Sequence, residues 1–304
     1  MKTIALLTAR NIKIFFKDKG LFFAALIAPL VLLFLFVVFL GDVYRDSMIS
    51  VLSAEPKKAI VEGFAGGWLV SSLLAVCTVS IAFTANIVMV QDKVTGVKND
   101  FIASPVPASF LAIAYFVATA AVTAIVCYAA LLAGLLYIAC VGWYLSVADV
   151  FLTLLDVFLM VLFATALSSV VNYFLHSQGG ITVVEVVVSA AYGFLCGAYM
   201  PISSLAKGLQ SVLLFLPGTY GTSLLHSHLM NGAIEAACTE LTLPAVAEQE
   251  LKKGFDCDLY FFEGQVPEWA KYLVVLLTTA VLVGAYVLLC SLKRKKPRQK
   301  GDLL

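Results

Sequence analysis

Residues 64–90 read FAGGWLVSSLLAVCTVSIAFTANIVMV, a stretch without a single Asp, Glu, Lys or Arg. A helix needs about 20 mostly apolar residues to cross the roughly 30 Å hydrocarbon core of a bilayer. The apolar residues are continuous, whereas a strand of an outer-membrane barrel alternates apolar and polar residues over about ten positions. The stretch therefore predicts a membrane-spanning helix over Phe64–Val90.

Five further apolar runs of similar length interrupt an otherwise polar chain. They are Leu21–Leu40, Phe110–Cys140, Phe151–Phe174, Ile181–Met200 and Tyr272–Leu292. The whole chain is 62% hydrophobic and only 13% charged, far from the profile of a soluble domain, which is about 25% charged. We predict an all-α integral membrane protein with six transmembrane helices, folded as a single domain over residues 1–304. A net charge of +1 excludes the basic surface that nucleic-acid binding needs.

The placement of Lys and Arg predicts the orientation, because cytoplasmic loops carry the excess of these residues. Thirteen of the 20 basic residues fall in the N-terminal segment, the 91–107 loop and the tail 293–304. These three segments share one side if both termini are inside. We predict cytoplasmic termini.

The segment 1–19 has the pattern of a helix that lies in the membrane interface. On a helical wheel its basic and apolar residues separate, and basic residues at an interface face anionic headgroups. The basic side holds Lys2, Arg10, Lys13 and Lys17, and the apolar side holds Ile4, Ala5, Ala9, Ile12, Phe15 and Phe16. A plain membrane anchor remains the alternative.

The loop QDKVTGVKNDFIASPVP, residues 91–107, carries more charge and turn chemistry than a simple connection needs. Asp92 or Asp100 could flank a short helix that bends at Gly96, and Pro105 and Pro107 would set the entry to the next span. Such a helix could dock into a groove of a partner. Its anchors would be Val97, Phe101 and Ile102. A solvated loop is the alternative interpretation.

Two carboxylates, Asp156 and Glu185, interrupt the predicted spans. An ionised side chain inside a membrane is costly, so each should face the bundle interior, a watery cavity or a partner. They are candidates for a translocation path that favours cationic or amphipathic substrates. A structural hydrogen bond to a neighbouring polar side chain is the other interpretation.

Between Pro201 and Pro217 lies an apolar piece of fifteen residues that Lys207 interrupts. It is too short to span comfortably, so a segment that enters the membrane and returns is expected. Met230–Glu268 follows as a polar, acidic external excursion. It contains Cys238 and Cys257, which could form a disulfide in an oxidising compartment.

Three stretches resemble the permeases of ABC-2 type transporters. The first is the spacing from Gly96 to Ser104-Pro105-Val106 after an acidic residue at the end of a long span. The second is GFLCGAYMPISSLAKGLQSVLLFLPGTY, residues 193–220, and the third is ARNIKIFFKDKGLFFAALIAPLVLLFLF, residues 9–36. Their order and spacing extend the resemblance over essentially the whole chain.

The resemblance implies that 91–107 is a cytoplasmic coupling helix that contacts an ATP-binding subunit. Asp92, Gly96, Ser104 and Pro105 match the motif, while Asn99 stands where many relatives have Glu. It also implies an elbow helix at 1–19 and external re-entrant helices at 201–217. The implied activity is export of a drug-like, peptide or lipid-like substrate across a bacterial cytoplasmic membrane, by two permease subunits.

No GxxxxGK[ST] motif occurs in the sequence, so the chain lacks a P-loop to cradle ATP. ATP and Mg would be bound by the partner subunit, and we expect no cofactor or metal in this chain. An intramembrane enzyme would need convergent carboxylates, whereas Asp156 and Glu185 are predicted at opposite membrane depths. A passive channel or a membrane scaffold is the alternative function.

Overall fold

The computed structural model describes residues 2–52, 56–97, 108–261 and 264–292. Residues 98–107 of the predicted coupling loop and the basic tail 293–304 lie outside this description. The predictions for Asp100, Phe101, Ile102, Ser104 and Pro105 therefore fall outside the described residues.

The described chain is built almost entirely of helices. In chain order they are α1 (Lys2–Lys17), α2 (Lys19–Leu35), α3 (Gly41–Leu52), α4 (Lys58–Ala85), α5 (Ile87–Val94), α6 (Ala108–Val141), α7 (Val147–Tyr173), α8 (Gln178–Leu195), α9 (Lys207–Leu213), α10 (Pro217–Glu240), α11 (Ala245–Gly254) and α12 (Glu268–Leu292). A π-helical turn, Phe36–Leu40, joins α2 to α3, and a 3₁₀ turn, Ile202–Ser204, precedes α9. Strands β1 (Tyr260–Phe261) and β2 (Gly264–Gln265) form a short antiparallel hairpin before α12.

Five helical stretches in the described residues are long and apolar enough to cross a membrane, and they coincide with five of the predicted spans. They are Lys19–Leu52, Lys58–Val94, Ser109–Val141, Val147–Tyr173 and Glu268–Cys290. The all-α membrane class is therefore confirmed. The remaining predicted span, Ile181–Met200, corresponds to the shorter helix α8.

Helix α8 ends before its apolar sequence does. Its last residue is Leu195, and Gly197 follows with a φ of +83°. Glycine takes this left-handed conformation easily and commonly terminates helices there. Hydropathy alone extended the predicted span to Met200, because apolar character does not reveal where the backbone turns.

Helix α4 is the centre of the bundle. It packs against α2, α6, α7, α8 and α10, and almost all of its side chains are buried. The contact with α10 is close because Gly67 has no side chain: a Cβ at this position would overlap the carbonyl oxygen of Leu229. The charge-free stretch 64–90 thus lies mostly in the helix that the others surround.

The region after α8 differs from the predicted layout. Pro217 is at the start of α10, where a proline suits the first helical turn. Helix α10 then continues without a break through Met230 to Glu240 and is buried along most of its length. The predicted excursion beginning at Met230 therefore starts inside a packed helix. The polar part of the predicted excursion is α11 and the hairpin, and α11 is itself packed on the bundle through the buried Leu251.

Candidate functional site

The C-terminal end of the second predicted span is held by an ion pair to the N-terminal helix. Arg10 on α1 donates two hydrogen bonds to the carboxylate of Asp92, with N–O distances of 2.6 and 2.8 Å. The hydroxyl of Tyr115 on α6 donates a third, at 2.5 Å. Asp92 is only 5% exposed. Hydrogen bonding and the negative charge of Asp92 raise the pKa of Arg10 above its ordinary value.

This arrangement changes what Asp92 can do. Sequence reasoning placed it among the residues that contact a partner, but its carboxylate is occupied by Arg10 and Tyr115 inside the protein. A bidentate pair with Arg fixes both position and orientation. Asp92 therefore joins α1, α5 and α6 directly below the predicted coupling loop.

Lys93, the next residue, ties the same helix to α7. Its ammonium donates to the backbone carbonyls of Asn172 and Tyr173, at 3.1 and 2.9 Å. The last carbonyls of a helix have no partner within the helix, and a cation there also interacts well with the helix dipole. Helix α5 is thus held to α1 and α6 through Asp92 and to α7 through Lys93.

The turn after α5 needs a glycine. Gly96 has a φ of +82°, and no atom lies within 4 Å of the place where a Cβ would be. The need is therefore conformational rather than steric. Val97, the last described residue here, is half-buried.

A second feature of this helix is the interruption at Asn86, between α4 and α5. The buried Asn86 amide donates to the hydroxyls of Ser168 and Ser169 on α7, at 3.3 and 3.2 Å. The interruption is thus held by α7. It lies two turns of helix before Asp92.

Glu185 on α8 faces this same part of α4. Its carboxyl group is hydrogen-bonded to the hydroxyl of Thr84 and is 7% exposed. Among the described residues, no Lys, Arg or His forms an ion pair with it. The buried hydroxyl of Ser189, one turn further along α8, has no hydrogen-bond partner in the described structure.

Asp156, the other predicted carboxylate, has very different surroundings. Its Oδ2 lies 2.5 Å from Nδ1 of His228 on α10, and its Oδ1 accepts a 2.8 Å hydrogen bond from Tyr272 on α12. The second ring nitrogen of His228, Nε2, lies 3.1 Å from Oε1 of Glu268. The structure therefore separates the two predicted carboxylates, and gives Asp156 a network that joins three helices.

A buried lysine borders this network. Lys271 on α12 is 2% exposed and donates to the carbonyl of Cys257 at 2.6 Å, to Ser223 Oγ at 3.0 Å and to Ser227 Oγ at 3.4 Å. A buried ammonium is stable only when its hydrogen bonds are satisfied. Lys271 therefore holds α12 against α10 and the segment before β1.

His226 lies on the opposite side of α10. Its ring stacks on Trp68 of α4 with centroids 4.1 Å apart, and Nε2 lies 3.4 Å from the hydroxyl of Ser72. The two histidines of α10 are thus turned to different neighbours. Sequence reasoning missed both, although the pattern LLHSHLM at 224–230 places two polar rings in an apolar run.

The predicted external segment 201–217 contains the 3₁₀ turn and helix α9. Lys207 is the first residue of α9 and is exposed. Pro201 comes directly before the 3₁₀ turn. The buried carboxylate of Asp256 accepts hydrogen bonds from the backbone N–H groups of Ile202 and Ser203. Burial raises the pKa of Asp256 to about 7, although these two hydrogen bonds lower it.

Cys238 and Cys257 were predicted as a possible disulfide. Both are buried free thiols that belong to one apolar cluster with Trp68 and Phe255. Burial raises the pKa of Cys257 to about 12, so its thiolate is disfavoured. Within the described residues, no group of His, Cys, Asp and Glu has the arrangement of a metal site.

These features define a helical membrane protein whose second predicted span is held to its neighbouring helices at its C-terminal end. Comparison with models of protein families matches residues 2–230 to the ABC-2 type transporter family. The chain belongs to this family. A search of curated proteins returns no match. The chain is therefore a multi-pass transport protein of the membrane, and the membrane domain of this family is a transport subunit rather than a catalytic one.

Proposed function

We propose that this chain is the permease subunit of an ATP-driven exporter, powered by a separate ATP-binding subunit and paired with a second permease subunit. The observation that carries the proposal is the family match over residues 2–230. The missing P-loop motif supports the view that ATP and Mg bind to the partner. The substrate leaves the cytoplasm without chemical change.

The anchored end of α5 supports a coupling role for residues 91–107. Asp92 is bound to α1 and α6, and Lys93 is bound to the end of α7. A displacement of the loop would therefore act on several helices at once, because α5 cannot move without breaking these contacts. In this proposal Gly96, Val97, Asp100, Phe101, Ile102, Ser104 and Pro105 belong to the coupling loop, and Asp92 positions it from inside.

The finer topology belongs to the same proposal. Helix α8 serves as the sixth membrane helix, α1 as the interfacial elbow and 201–217 as the external re-entrant segment, with both termini in the cytoplasm of a bacterial cell. The exposed apolar residues of α9, Leu209 and Val212, support contact of this segment with lipid.

The two buried carboxylates have different parts in the proposal. Asp156 is already occupied by His228 and Tyr272, so it stabilises the bundle. Glu185 has Thr84 as its partner and no described cation, which makes it the better candidate for the path of a cationic or amphipathic substrate. Drug-like, peptide and lipid-like compounds are the substrate classes that fit an apolar bundle.

The test is copurification of an ATP-hydrolysing subunit with the tagged chain in mild detergent. The variant Phe101→Asp places a charge on the predicted docking loop. The control Val246→Asp makes the same change at an exposed site on α11, on the opposite side of the membrane in this topology. Loss of ATP hydrolysis from the Phe101→Asp sample alone supports the proposal.

Two other outcomes would contradict it. Copurification that survives Phe101→Asp would remove the docking role of the loop. A well-folded wild-type chain that brings no ATPase would favour the alternative, a passive channel or a membrane scaffold.

A further inference from the structure

The ring of His228 lies between two carboxyl groups, and this limits the protons that the three groups can hold. Nδ1 is 2.5 Å from Asp156 and Nε2 is 3.1 Å from Glu268. An ionised carboxylate only accepts hydrogen bonds, and a neutral imidazole donates from one nitrogen only. Two hydrogen bonds therefore need two protons: either an imidazolium between two carboxylates, or a neutral ring beside one protonated acid.

The surrounding charges favour the imidazolium. Asp156 also accepts a hydrogen bond from Tyr272 at 2.8 Å, which stabilises its ionised form. Lys271 adds one positive charge beside the network, since its ammonium bonds to Ser223 on the same face of α10. An imidazolium between Asp156 and Glu268 offsets part of their negative charge, and a buried charge is less costly to hold when it is paired.

The groups that surround His228 come from each element packed on this face of α10. Asp156 from α7 and Glu268 from α12 bond to the ring, Tyr272 from α12 bonds to Asp156, and Cys257 and Asp258 from the segment before β1 act on the neighbouring Lys271. On α11, Lys252 and Glu248 pair with each other at 2.6 Å. On α4, Trp68 and Ser72 meet His226 rather than His228.

The network has one end at the surface. The side chain of Glu268 is 56% exposed, that of His228 is 6% exposed, and that of Asp156 is fully buried. Protons can therefore be exchanged with solvent through Glu268 and the ring, along a continuous line of hydrogen-bonding atoms. In the topology of the proposed function, this end faces the outside of the cell.

We propose that His228 is a proton-binding site that senses external acidity and fastens α7, α10 and α12 together while it is an imidazolium. Loss of one proton leaves a ring nitrogen and a carboxylate as two acceptors in contact. One bridge is then lost, and the three helices loosen at their outer ends. The external location rests on the proposed function, whereas the proton-dependent bridge does not.

The direct test is the nitrogen NMR signal of the ring in protein labelled with ¹⁵N-histidine. The chain has 3 histidines, and the His228→Gln variant assigns the signal. We expect the ring to remain an imidazolium above about pH 6.5, where an ordinary histidine loses its proton. A neutral His228 ring at about pH 6 would overturn the proposal.

The second test follows the thermal unfolding midpoint of the purified chain in detergent across pH. The midpoint of wild type is expected to fall at alkaline pH, and this fall should be absent in Glu268→Gln, a change at a half-exposed side chain that folding tolerates. Asp256 also titrates, but its contribution is common to both proteins and cancels in the difference. Equal pH profiles for the two proteins would overturn the bridge.

The two tests need neither an ATPase nor a substrate, so their failure is distinct from failure of the proposed function. The location is tested separately, in proteoliposomes with buffers of different pH on the two sides. External sensing is supported if the protonation of His228 responds only to the pH on the side that carries Glu268, and if both termini lie on the other side. A protonation that responds only to the pH on the side of the two termini contradicts it.

Discussion

Arg10 and Asp92 stand 82 positions apart in the chain, and the guanidinium of one lies on the carboxylate of the other with two hydrogen bonds of 2.6 and 2.8 Å. The pair connects the first helix with the end of the second predicted span. An amphipathic helix at a membrane surface is otherwise held only by lipid. Here the ion pair adds a direct link to α5, and the buried Phe15 packs α1 into the core of the bundle.

We predict that Asp92→Asn destabilises the chain by about 1.5–3 kcal/mol, the usual contribution of a hydrogen bond to a charged group. Arg10→Lys should lose the bidentate geometry and cost a similar amount. The measurement is a double-mutant cycle on the free energy of unfolding in mixed micelles. Additive effects of the two changes would show that the pair contributes no coupling.

Gly67 predicts a steric effect at the contact of α4 and α10. Gly67→Ala should destabilise the protein by about 1–3 kcal/mol, because the added methyl overlaps the Leu229 carbonyl. The matched control is Gly284→Ala in α12, where nothing lies within 4 Å. In that open helical site alanine should be neutral or stabilising by up to about 1 kcal/mol. Equal thermal unfolding midpoints for both variants would contradict the close approach.

Gly96 predicts a conformational effect in the turn after α5. Gly96→Ala should cost about 1–2 kcal/mol, the penalty for a left-handed residue with a Cβ. Gly96→Asn should cost less, since asparagine visits this region more readily. Unfolding of the two variants in detergent gives the comparison. An alanine that is as stable as asparagine would argue against the φ of +82°.

Asp256 predicts a pH dependence with a defined sign. Its pKa is raised to about 7 in the folded chain, so the folded state binds this proton more tightly than the unfolded state. The resulting stability is complete below about pH 4, the ordinary pKa, and is lost as the pH rises through about 7.

The measurement for Asp256 is the difference in unfolding midpoint between wild type and Asp256→Asn. The advantage of wild type should shrink as the pH rises, because asparagine does not titrate. Asp258→Asn, two residues away, is the matched control. A difference that grows with pH would mean that the hydrogen bonds from Ile202 and Ser203 outweigh burial.

The sequence reveals the membrane helices well because their signal is local. The charge-free runs around Leu74, Val122 and Leu277 each persist for more than the thickness of a bilayer. The ends of the helices are harder to predict. Gly197 follows the end of α8 with a left-handed backbone conformation, and the first helical stretch continues to Leu52, with Arg45 on α3 paired to Glu62 on α4.

The partners of the buried polar residues could not be predicted in the same way. Asp156 was recognised as unusual from its place in an apolar run, but His228 and Tyr272 come from helices 72 and 116 positions away. Only the packing of α7, α10 and α12 brings them together. Similarly, Asp92 was assigned to the coupling loop from the resemblance, whereas Arg10 and Tyr115 enclose its carboxylate inside the protein.

Helix α10 has a consequence for how the protein is made. It is buried against α4 and α7, yet its sequence includes His226, His228 and Glu235 among several hydroxyls. A translocation machinery that sorts segments by hydropathy would not retain such a helix in lipid by itself. Helix α10 must therefore reach its place after α4 and α7 have been inserted, which makes its docking a late step in biogenesis.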